Sequence, residues 1–277
     1  MKIGCIGKGM VGGAIFKGLQ EKGHIMSFYD PVYNESNFVD IIDTDCVFIA
    51  VPTLLNEKGE CDLSILVKTL DNLNNKNYKG IICIKSTITP GTTQRMIDLY
   101  KNTNICFCPE FLKERSAYED FVLNNPICIV GTESEDVFRI IREIHTSISK
   151  VFKMVKPIEA ELTKYMQNVF NTYRIIFANG FYEVCKENNV EYNSVLNSLL
   201  ERNELDAKYM KCSEDLRGPS GPCLVKDTIA FNTYVNSLNM NKKPEIFQTI
   251  INDMKIYPKT VIKGTRSEME YFGKLLE

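Results

Sequence analysis

The first 150 residues alternate between short apolar runs and longer amphipathic stretches. The apolar runs predict strands at Lys2–Gly7, His24–Asp30, Cys46–Val51, Gly80–Ser86, Asn104–Cys108 and Ile127–Gly131. The amphipathic stretches predict helices at Gly12–Lys22, Leu63–Leu73, Thr92–Lys101 and Glu135–Ser149. Because strands that are apolar throughout are buried on both faces, this alternation predicts an α/β fold with a parallel sheet covered by helices on both sides.

After Pro157 the pattern becomes helical, with no strand signal over the next thirty or so residues. The stretch from Glu159 to about Asn188 predicts one long helix, and shorter helices are predicted at Tyr192–Glu201, Lys226–Asn239 and Pro244–Lys255. The long helix has an apolar face at steps of three and four residues, formed by Leu162, Tyr165, Met166, Val169, Tyr173, Ile176, Phe177 and Phe181. We therefore predict an α/β domain over residues 1–155 and an all-α domain over residues 156–277.

Composition and charge do not alter the predicted fold, but they disfavour several classes of partner and location. The formal net charge of −2 gives no general reason to expect a nucleic-acid partner or an acidic membrane partner. No apolar stretch approaches the roughly 20 residues that cross a bilayer. The N-terminus enters a strand-like run at once and lacks the pattern of a signal peptide. We expect a cytoplasmic protein with no nucleic-acid and no membrane partner.

The ten cysteines raise the question of metal sites and disulfides. They form no CxxC motif, and the chain has only two histidines, so we expect no metal site. The same shortage of histidine disfavours a hydrolase with a histidine base. Disulfides are not expected in a reducing compartment. Cys5, Cys46, Cys83, Cys106 and Cys128 fall in the predicted strands, where cysteine acts as a small hydrophobic residue.

A glycine-rich turn follows the first predicted strand and opens the first helix. Its sequence, Gly7-Lys8-Gly9-Met10-Val11-Gly12, matches the GxGxxG pattern, in which glycines permit a tight turn and close approach of a pyrophosphate. The next strand ends at Asp30, 23 residues after Gly7, where a carboxylate binds a ribose 2′-hydroxyl and repels a 2′-phosphate. We therefore predict a Rossmann-type, doubly wound domain that binds NAD through these residues. The alternative is a glycine turn that binds no nucleotide.

Four further motifs follow the glycine turn in order: IKSTITPGTT at 84–93, CPEFLKERSAYEDF at 108–121, EAELTKYMQNVFNTYRIIFAN at 159–179 and GPSGPCLVKDT at 218–228. Together they resemble the UDP-glucose/GDP-mannose dehydrogenase family. The resemblance implies oxidation of the primary alcohol of a nucleotide sugar to a carboxylate, with two NAD⁺ and an active-site cysteine. UDP-glucose is the substrate expected from the family's commonest activity.

The resemblance also implies roles for individual residues of the helical half. Cys223 is implied as the nucleophile that attacks the aldehyde formed by the first hydride transfer. Lys164 and Asn168 are four residues apart and share a helix face, so they can stabilise an oxyanion together; without the resemblance, a solvated helix face is the simpler interpretation. Asp227 is expected to orient a water molecule or a hydroxyl proton.

Further roles follow for residues of the α/β half. Glu110 is implied as the general base of thioester hydrolysis, beside the apolar pair that follows it. Glu114, one turn further if this segment is helical, is implied as a contact near the nicotinamide. Thr87, at a strand end, is expected to hold water or cofactor, and Thr53 and Ser86 are counted with the cofactor-binding residues. The alternative for the two glutamates is a surface carboxylate pair.

The chain also departs from the family pattern. Pro219, Ser220 and Pro222 stiffen the loop before the cysteine, so sugar specificity is expected to differ. Family members continue into a second Rossmann-like domain that holds the substrate nucleotide, and since this sequence ends at Glu277 we expect that domain to be missing. We expect a homodimer formed by the helical domain, and a second polypeptide is a candidate to complete the cleft. The alternatives are a non-catalytic, NAD-binding regulatory relative and a two-domain β-hydroxyacid dehydrogenase, which needs no cysteine.

Overall fold

A computed structural model describes residues 1–257, which begin with a seven-stranded sheet. The strands are β1 Lys2–Ile6, β2 Ile25–Tyr29, β3 Cys46–Ile49, β4 Ile81–Ile84, β5 Ile105–Phe107, β6 Ile127–Gly131 and β7 Val151–Val155. Their order is β2-β1-β3-β4-β5-β6-β7, and the pairs are parallel except β5 with β6. The predicted α/β class with a mostly parallel sheet is confirmed, and the structure adds one antiparallel pair, β5 with β6.

Helices flank this sheet and continue beyond it. They are α1 Met10–Glu21, α2 Val39–Ile42, α3 Ser64–Asn75, α4 Thr92–Tyr100, α5 Ala117–Val122, α6 Glu135–His145, α7 Pro157–Glu187, α8 Tyr192–Leu200, α9 Pro222–Ser237 and α10 Ile246–Ile256, with a 3₁₀ turn at Glu114–Ser116. Strand β7 and helices α2 and α5 were not predicted. Strand β7 contains Lys153 and is only half-buried, so it lacks the continuous apolar run that identified the other strands.

The chain divides into two compact units, Met1–Lys164 and Tyr165–Glu277, and the division falls within α7. The boundary predicted from the sequence lies near residue 155, where β7 ends, which is about two helical turns before this division. Within the first unit, the central strands send alternate side chains to opposite faces: Cys46 and Phe48 pack in one core, and Val47 and Ile49 in the other. Both faces of the sheet are therefore buried, as parallel strands require.

Residues 165–257 of the second unit contain the rest of α7 together with α8, α9 and α10, and they form two apolar clusters. One cluster joins α7, α9 and α10 through Val169, Val225 and Ile250. The other contains Cys185, Tyr192 and Leu196 from α7 and α8. Residues 258–277 of the predicted helical domain lie outside the described residues. In the described part of the chain, none of the helices has the length and apolar composition needed to span a membrane.

The last residue of α6, His145, is buried against the sheet with 1% of its surface exposed. Its ring meets the ring of Phe48 edge-on, with centroids 5.6 Å apart, and its Nδ1 lies 2.9 Å from the carbonyl oxygen of Ile141. Burial lowers the pKa of His145 to about 3, and the charges of Lys85 and His24 act in the same direction. His145 is therefore neutral in the folded protein at pH 5 to 7.

Lowering the pH from 7 to 5 is expected to reduce the free energy of unfolding by about 2 kcal/mol through His145 alone. Over this range the unfolded state binds a proton, near pH 6.5, whereas the buried imidazole does not, so stability is lost as the pH falls. Urea unfolding at both pH values measures the effect. The variant His145→Leu should lack this component, and His24→Gln should keep most of it. An equal loss in wild type and His145→Leu would contradict the assignment.

Candidate active site

The glycine turn at the end of β1 has the geometry of a dinucleotide-binding turn. Gly7 has φ +86°, and a Cβ there would lie 2.5 Å from the carbonyl oxygen of Ala50. A Cβ at Gly12 would lie 1.8 Å from the carbonyl oxygen of Gly7, so only glycine lets α1 begin this close to the strand. A Cβ at Gly9 would meet nothing within 4 Å, so the backbone there faces open space. A pyrophosphate can approach the turn at that point.

The predicted ribose ligand, Asp30, lies directly after β2 and contacts the same turn. One carboxylate oxygen accepts a hydrogen bond from the backbone N–H of Lys8 at 2.7 Å, and the other accepts one from Val32 at 3.0 Å. Each oxygen keeps a second lone pair for a hydroxyl donor. The Lys8 ammonium lies over the ring of Phe28, 3.6 Å from its centroid. Met10 and Val11 open α1. These residues fit NAD.

Thr53, Ser86 and Thr87 continue this edge of the sheet. Thr53 follows β3 and donates from its hydroxyl to the carbonyl oxygen of Thr87, after β4, at 2.7 Å. The Ser86 hydroxyl donates to the carbonyl oxygen of Val51 at 2.7 Å. Since β2, β1, β3 and β4 are parallel neighbours, their carboxyl ends bring Asp30, the glycine turn and these three residues to one edge. In open α/β sheets this edge binds the ligand.

Sequence reasoning missed Glu161, which holds the turn that follows Thr87. Its carboxylate accepts hydrogen bonds from the backbone N–H and the hydroxyl of Thr93, at 2.7 and 2.6 Å, and from the N–H of Gly91. Burial raises the pKa of Glu161, and these donors oppose the shift. Glu161 lies in the helix motif at 159–179, three positions before Lys164. This spacing places both residues on one helix face, and it is the feature of the sequence from which Glu161 could have been identified.

Glu110 and Lys164 form a buried ion pair within the first unit. Lys164 Nζ donates to Glu110 Oε1 at 2.8 Å and to the Glu110 carbonyl oxygen at 2.6 Å, and Glu110 Oε2 accepts from the N–H of Leu112 at 2.7 Å. The two side chains are 8% and 5% exposed. Glu110 is therefore not a surface carboxylate. Its carboxylate contacts polar groups, whereas the sequence suggested that the apolar pair after it would surround it.

Replacing Lys164 with methionine is expected to lower the free energy of unfolding by about 3 kcal/mol, because it leaves a buried carboxylate without its cation. The double variant Lys164→Met/Glu110→Gln should recover at least about 1 kcal/mol of that loss. Urea unfolding of the single and double variants measures this coupling. Lys186→Met, which removes a pair with Glu214 that is more than half exposed, is the control and should show no measurable change. Strict additivity of the two buried substitutions would argue against the ion pair.

The helical unit holds a second polar cluster around Asp227. Asn168 Nδ2 donates to Asp227 Oδ2 at 2.6 Å, and Lys226 Nζ lies 2.6 Å from Asp227 Oδ1. Asp227 is fully buried, and Asn168 and Lys226 are less than 10% exposed. Asn168 is therefore oriented by a carboxylate that is 59 residues away in sequence. The hydrogen bond fixes the position of the Asn168 amide against Asp227 Oδ2, and the charge contact places the Lys226 ammonium beside Oδ1.

Cys223 differs from the other cysteines. All ten lie in the described part of the chain, and Cys223 is half-buried while the other nine are buried. It lies in the first turn of α9, which begins at Pro222 and so four residues earlier than predicted. A helix N-terminus stabilises a thiolate. By contrast, burial raises the pKa of Cys5, beside the glycine turn, to about 12, so Cys5 stays a thiol.

Glu114 does not lie one helical turn beyond Glu110, as we expected if this segment were helical. Residues 109–113 are not helical, and Glu114 begins a 3₁₀ turn, so it is not one helical turn beyond Glu110. Within the first unit the structure joins Glu110 to Lys164, and within the second it joins Asn168 to Asp227, four residues after Cys223. The roles of these side chains in catalysis stay predictions.

Two sequence models of one family match the chain. Residues 34–149 match the NAD binding domain of the UDP-glucose/GDP-mannose dehydrogenase family, and residues 158–253 match its central domain. The first match confirms NAD as the predicted cofactor. The glycine turn and Asp30 precede the matched range, so their assignment depends on the geometry described above.

Individual proteins are similar over most of the chain. UDP-glucose 6-dehydrogenase of Rickettsia typhi is 29% identical over 238 residues, which are 80% of this chain and 52% of that protein. The chain thus spans about half the length of such relatives. The structure of a UDP-glucose dehydrogenase from Pyrobaculum islandicum superposes with a TM-score of 0.82 at 23% identity, covering 92% of this chain and 68% of that one. Mycobacterium tuberculosis 3-hydroxyisobutyrate dehydrogenase shares the fold, with a TM-score of 0.70 at 13% identity and 90% of each chain covered.

Proposed function

Because the chain belongs to the UDP-glucose/GDP-mannose dehydrogenase family, we propose that it oxidises the primary alcohol of a nucleotide sugar to a carboxylate in two steps. UDP-glucose is the proposed substrate, since the curated relatives are named UDP-glucose 6-dehydrogenases. The observation that carries the proposal is the half-buried thiol of Cys223 in the first turn of α9, four residues before a fully buried Asp227. A protein that only binds NAD has no need of a thiol placed in this way.

The cofactor site at the glycine turn and Asp30 would hold two NAD⁺ molecules in succession, and each would supply the chemistry of one hydride acceptor, with the hydroxyl proton of the first oxidation passing to solvent. Between these steps the Cys223 thiolate adds to the aldehyde carbonyl, which forms a C–S bond and a thiohemiacetal oxyanion. The Lys164 ammonium and the Asn168 amide stabilise that oxyanion. After the second oxidation the product is a thioester. Glu110 accepts a proton from water, the hydroxide displaces sulfur as the Cys223 thiolate, and the carboxylic acid that forms loses its proton to solvent.

Counting the NADH formed per sugar tests the proposal. The full chain is incubated with excess NAD⁺ and a limiting amount of each UDP-sugar or GDP-sugar, and absorbance and product mass are recorded. Two NADH per sugar, with a gain of one oxygen and a loss of two hydrogens in the product, is the expected result. Tight NAD binding without turnover of any sugar would favour a non-catalytic relative. Turnover of a small hydroxyacid with one NADH would favour the two-domain hydroxyacid dehydrogenase.

We also propose a homodimer formed through the helical unit. In the structure Tyr165, Val169 and Ile176 of α7 are buried, whereas Met166 and Phe170 are 75% and 55% exposed. The exposed apolar stripe continues along the helix through Tyr173, Phe177, Phe181 and Val184. An exposed apolar surface of this kind is typical of protein contacts.

A dimeric mass in light scattering is expected for the wild type, and the charged variant Phe170→Glu/Phe181→Glu should shift it to the monomer. The variant Lys186→Glu, which adds the same type of charge elsewhere on α7, is the control and should stay dimeric. A monomeric wild type would refute the interface.

A further inference from the structure

Three cysteine thiols meet inside the first unit. They belong to Cys83 on β4, Cys106 on β5 and Cys108 directly after β5. Their sulfur atoms all lie within 4.8 Å of one another. Cys83 and Cys106 are 0% exposed and Cys108 is 1% exposed. The proposed oxidation uses none of them.

The sheet itself produces this convergence. Cys83 and Cys106 are register partners on adjacent parallel strands. Because side chains alternate along an extended chain, Cys106 and Cys108 point to the same face, and the N–H of Cys108 still bonds to the carbonyl oxygen of Ile84. All three thiols belong to the apolar core that also contains Phe48. Their geometry is therefore fixed by strand pairing and does not depend on a mobile loop.

A cation, Lys85, lies close to two of the three thiols. Lys85 is two residues after Cys83, so it points to the same face, and it is only 6% exposed. Its ammonium is close enough to Cys83 and Cys108 to interact with both electrostatically. A buried charge is costly unless opposite charge accompanies it. A divalent ion with three thiolates carries one net negative charge, which the ammonium of Lys85 balances.

We propose that Cys83, Cys106 and Cys108 form a site for one thiophilic divalent metal ion such as Zn²⁺, with Lys85 as its counter-ion. Thiolate ligands select soft and borderline ions over Mg²⁺ or Ca²⁺. Binding forms three metal–sulfur bonds and breaks the S–H bond of each thiol that is protonated, whose proton passes to the buffer. No electron is transferred, so no oxidant or reductant is needed. The site joins β4 to the segment after β5, so a bound ion stabilises the α/β unit.

Cadmium titration tests the site in the full chain. The protein carries Cys223→Ser, so that the half-buried thiol adds no signal, and it is reduced and freed of metal by a chelator. The expected result is a thiolate-to-Cd²⁺ charge-transfer band in the ultraviolet that saturates at one ion per chain, accompanied by release of protons to the buffer. Zn²⁺ should compete for the same site, and excess Mg²⁺ should not.

Variants separate the site from other thiols. Cys83→Ser/Cys106→Ser/Cys108→Ser should lose the band. Lys85→Met should keep one ion per chain but bind it about 10- to 100-fold more weakly, as expected when a group supporting a metal site is removed. Cys185→Ser, which removes a buried thiol of the helical unit, is the matched control and should bind as the parent does. An unchanged band in the triple variant, or no saturable band in the parent, would overturn the proposal.

The triple substitution lies in a core and can impair folding, so a second measurement needs no further variant. X-ray absorption of the Zn²⁺-loaded Cys223→Ser protein should show a shell of three sulfur atoms at about 2.3 Å. A shell made only of oxygen and nitrogen would show that zinc binds elsewhere, and that the three thiols serve only as packing in the core.

Discussion

Cys223→Ala is expected to abolish formation of the sugar acid, with kcat for that product reduced about 10³-fold or more. Without the thiol, the aldehyde formed by the first oxidation has no covalent anchor, and no thioester can follow. The expected products are at most one NADH per sugar and free or hydrated aldehyde. Mass spectrometry of the sugar product and the NADH yield together measure the effect. NAD affinity should be unchanged, because the cofactor-binding turn lies in the other unit.

Two variants sharpen this result. Cys223→Ser retains an oxygen nucleophile at the same place and should allow slow acid formation at most. Cys212→Ala removes a buried cysteine of the same unit, 4% exposed, and should retain two NADH per sugar. If Cys223→Ala still produced two NADH per sugar at the wild-type rate, the thiol would have no role in the chemistry.

Gly12→Ala is expected to lower the free energy of unfolding by about 4 kcal/mol or more and to abolish measurable NAD binding. The new Cβ would lie 1.8 Å from the carbonyl oxygen of Gly7, a backbone atom that cannot rotate away. Relief of the overlap requires α1 to move off β1, which displaces the N–H groups that bind the pyrophosphate. Urea unfolding and calorimetric NAD titration measure the two effects.

Gly13→Ala is the matched control for this substitution. Gly13 lies one residue further along the same helix, and a Cβ there would meet only the carbonyl oxygen of Lys8, at 3.8 Å. Since alanine favours a helix over glycine by about 1 kcal/mol, this variant should be as stable as the wild type or more so, and should bind NAD. Similar behaviour of the two alanine variants would mean that the turn is not closed in the way described.

The residues with purely local requirements could be identified without a structure. Gly7 and Gly12 stand out because a tight turn that opens a helix needs glycine at that spacing. The buried strands stand out because they are apolar throughout, and the long helix because its apolar residues recur every three or four positions. Cys223 was identified by the resemblance to a family. Its position in the first turn of α9 was not predicted, because Pro222 is as compatible with a loop as with the first turn of a helix.

The sequence by itself therefore determined the α/β half, the helical half and the cofactor turn, because each depends on neighbours within about one helical turn or one strand. Tertiary structure alone decided the antiparallel contact of β5 with β6, the bond from Asn168 to Asp227, and the meeting of Cys83 with Cys106 and Cys108. These contacts depend on which strands and helices become neighbours. Which elements become neighbours depends on how the whole core packs, and it cannot be predicted from local periodicity.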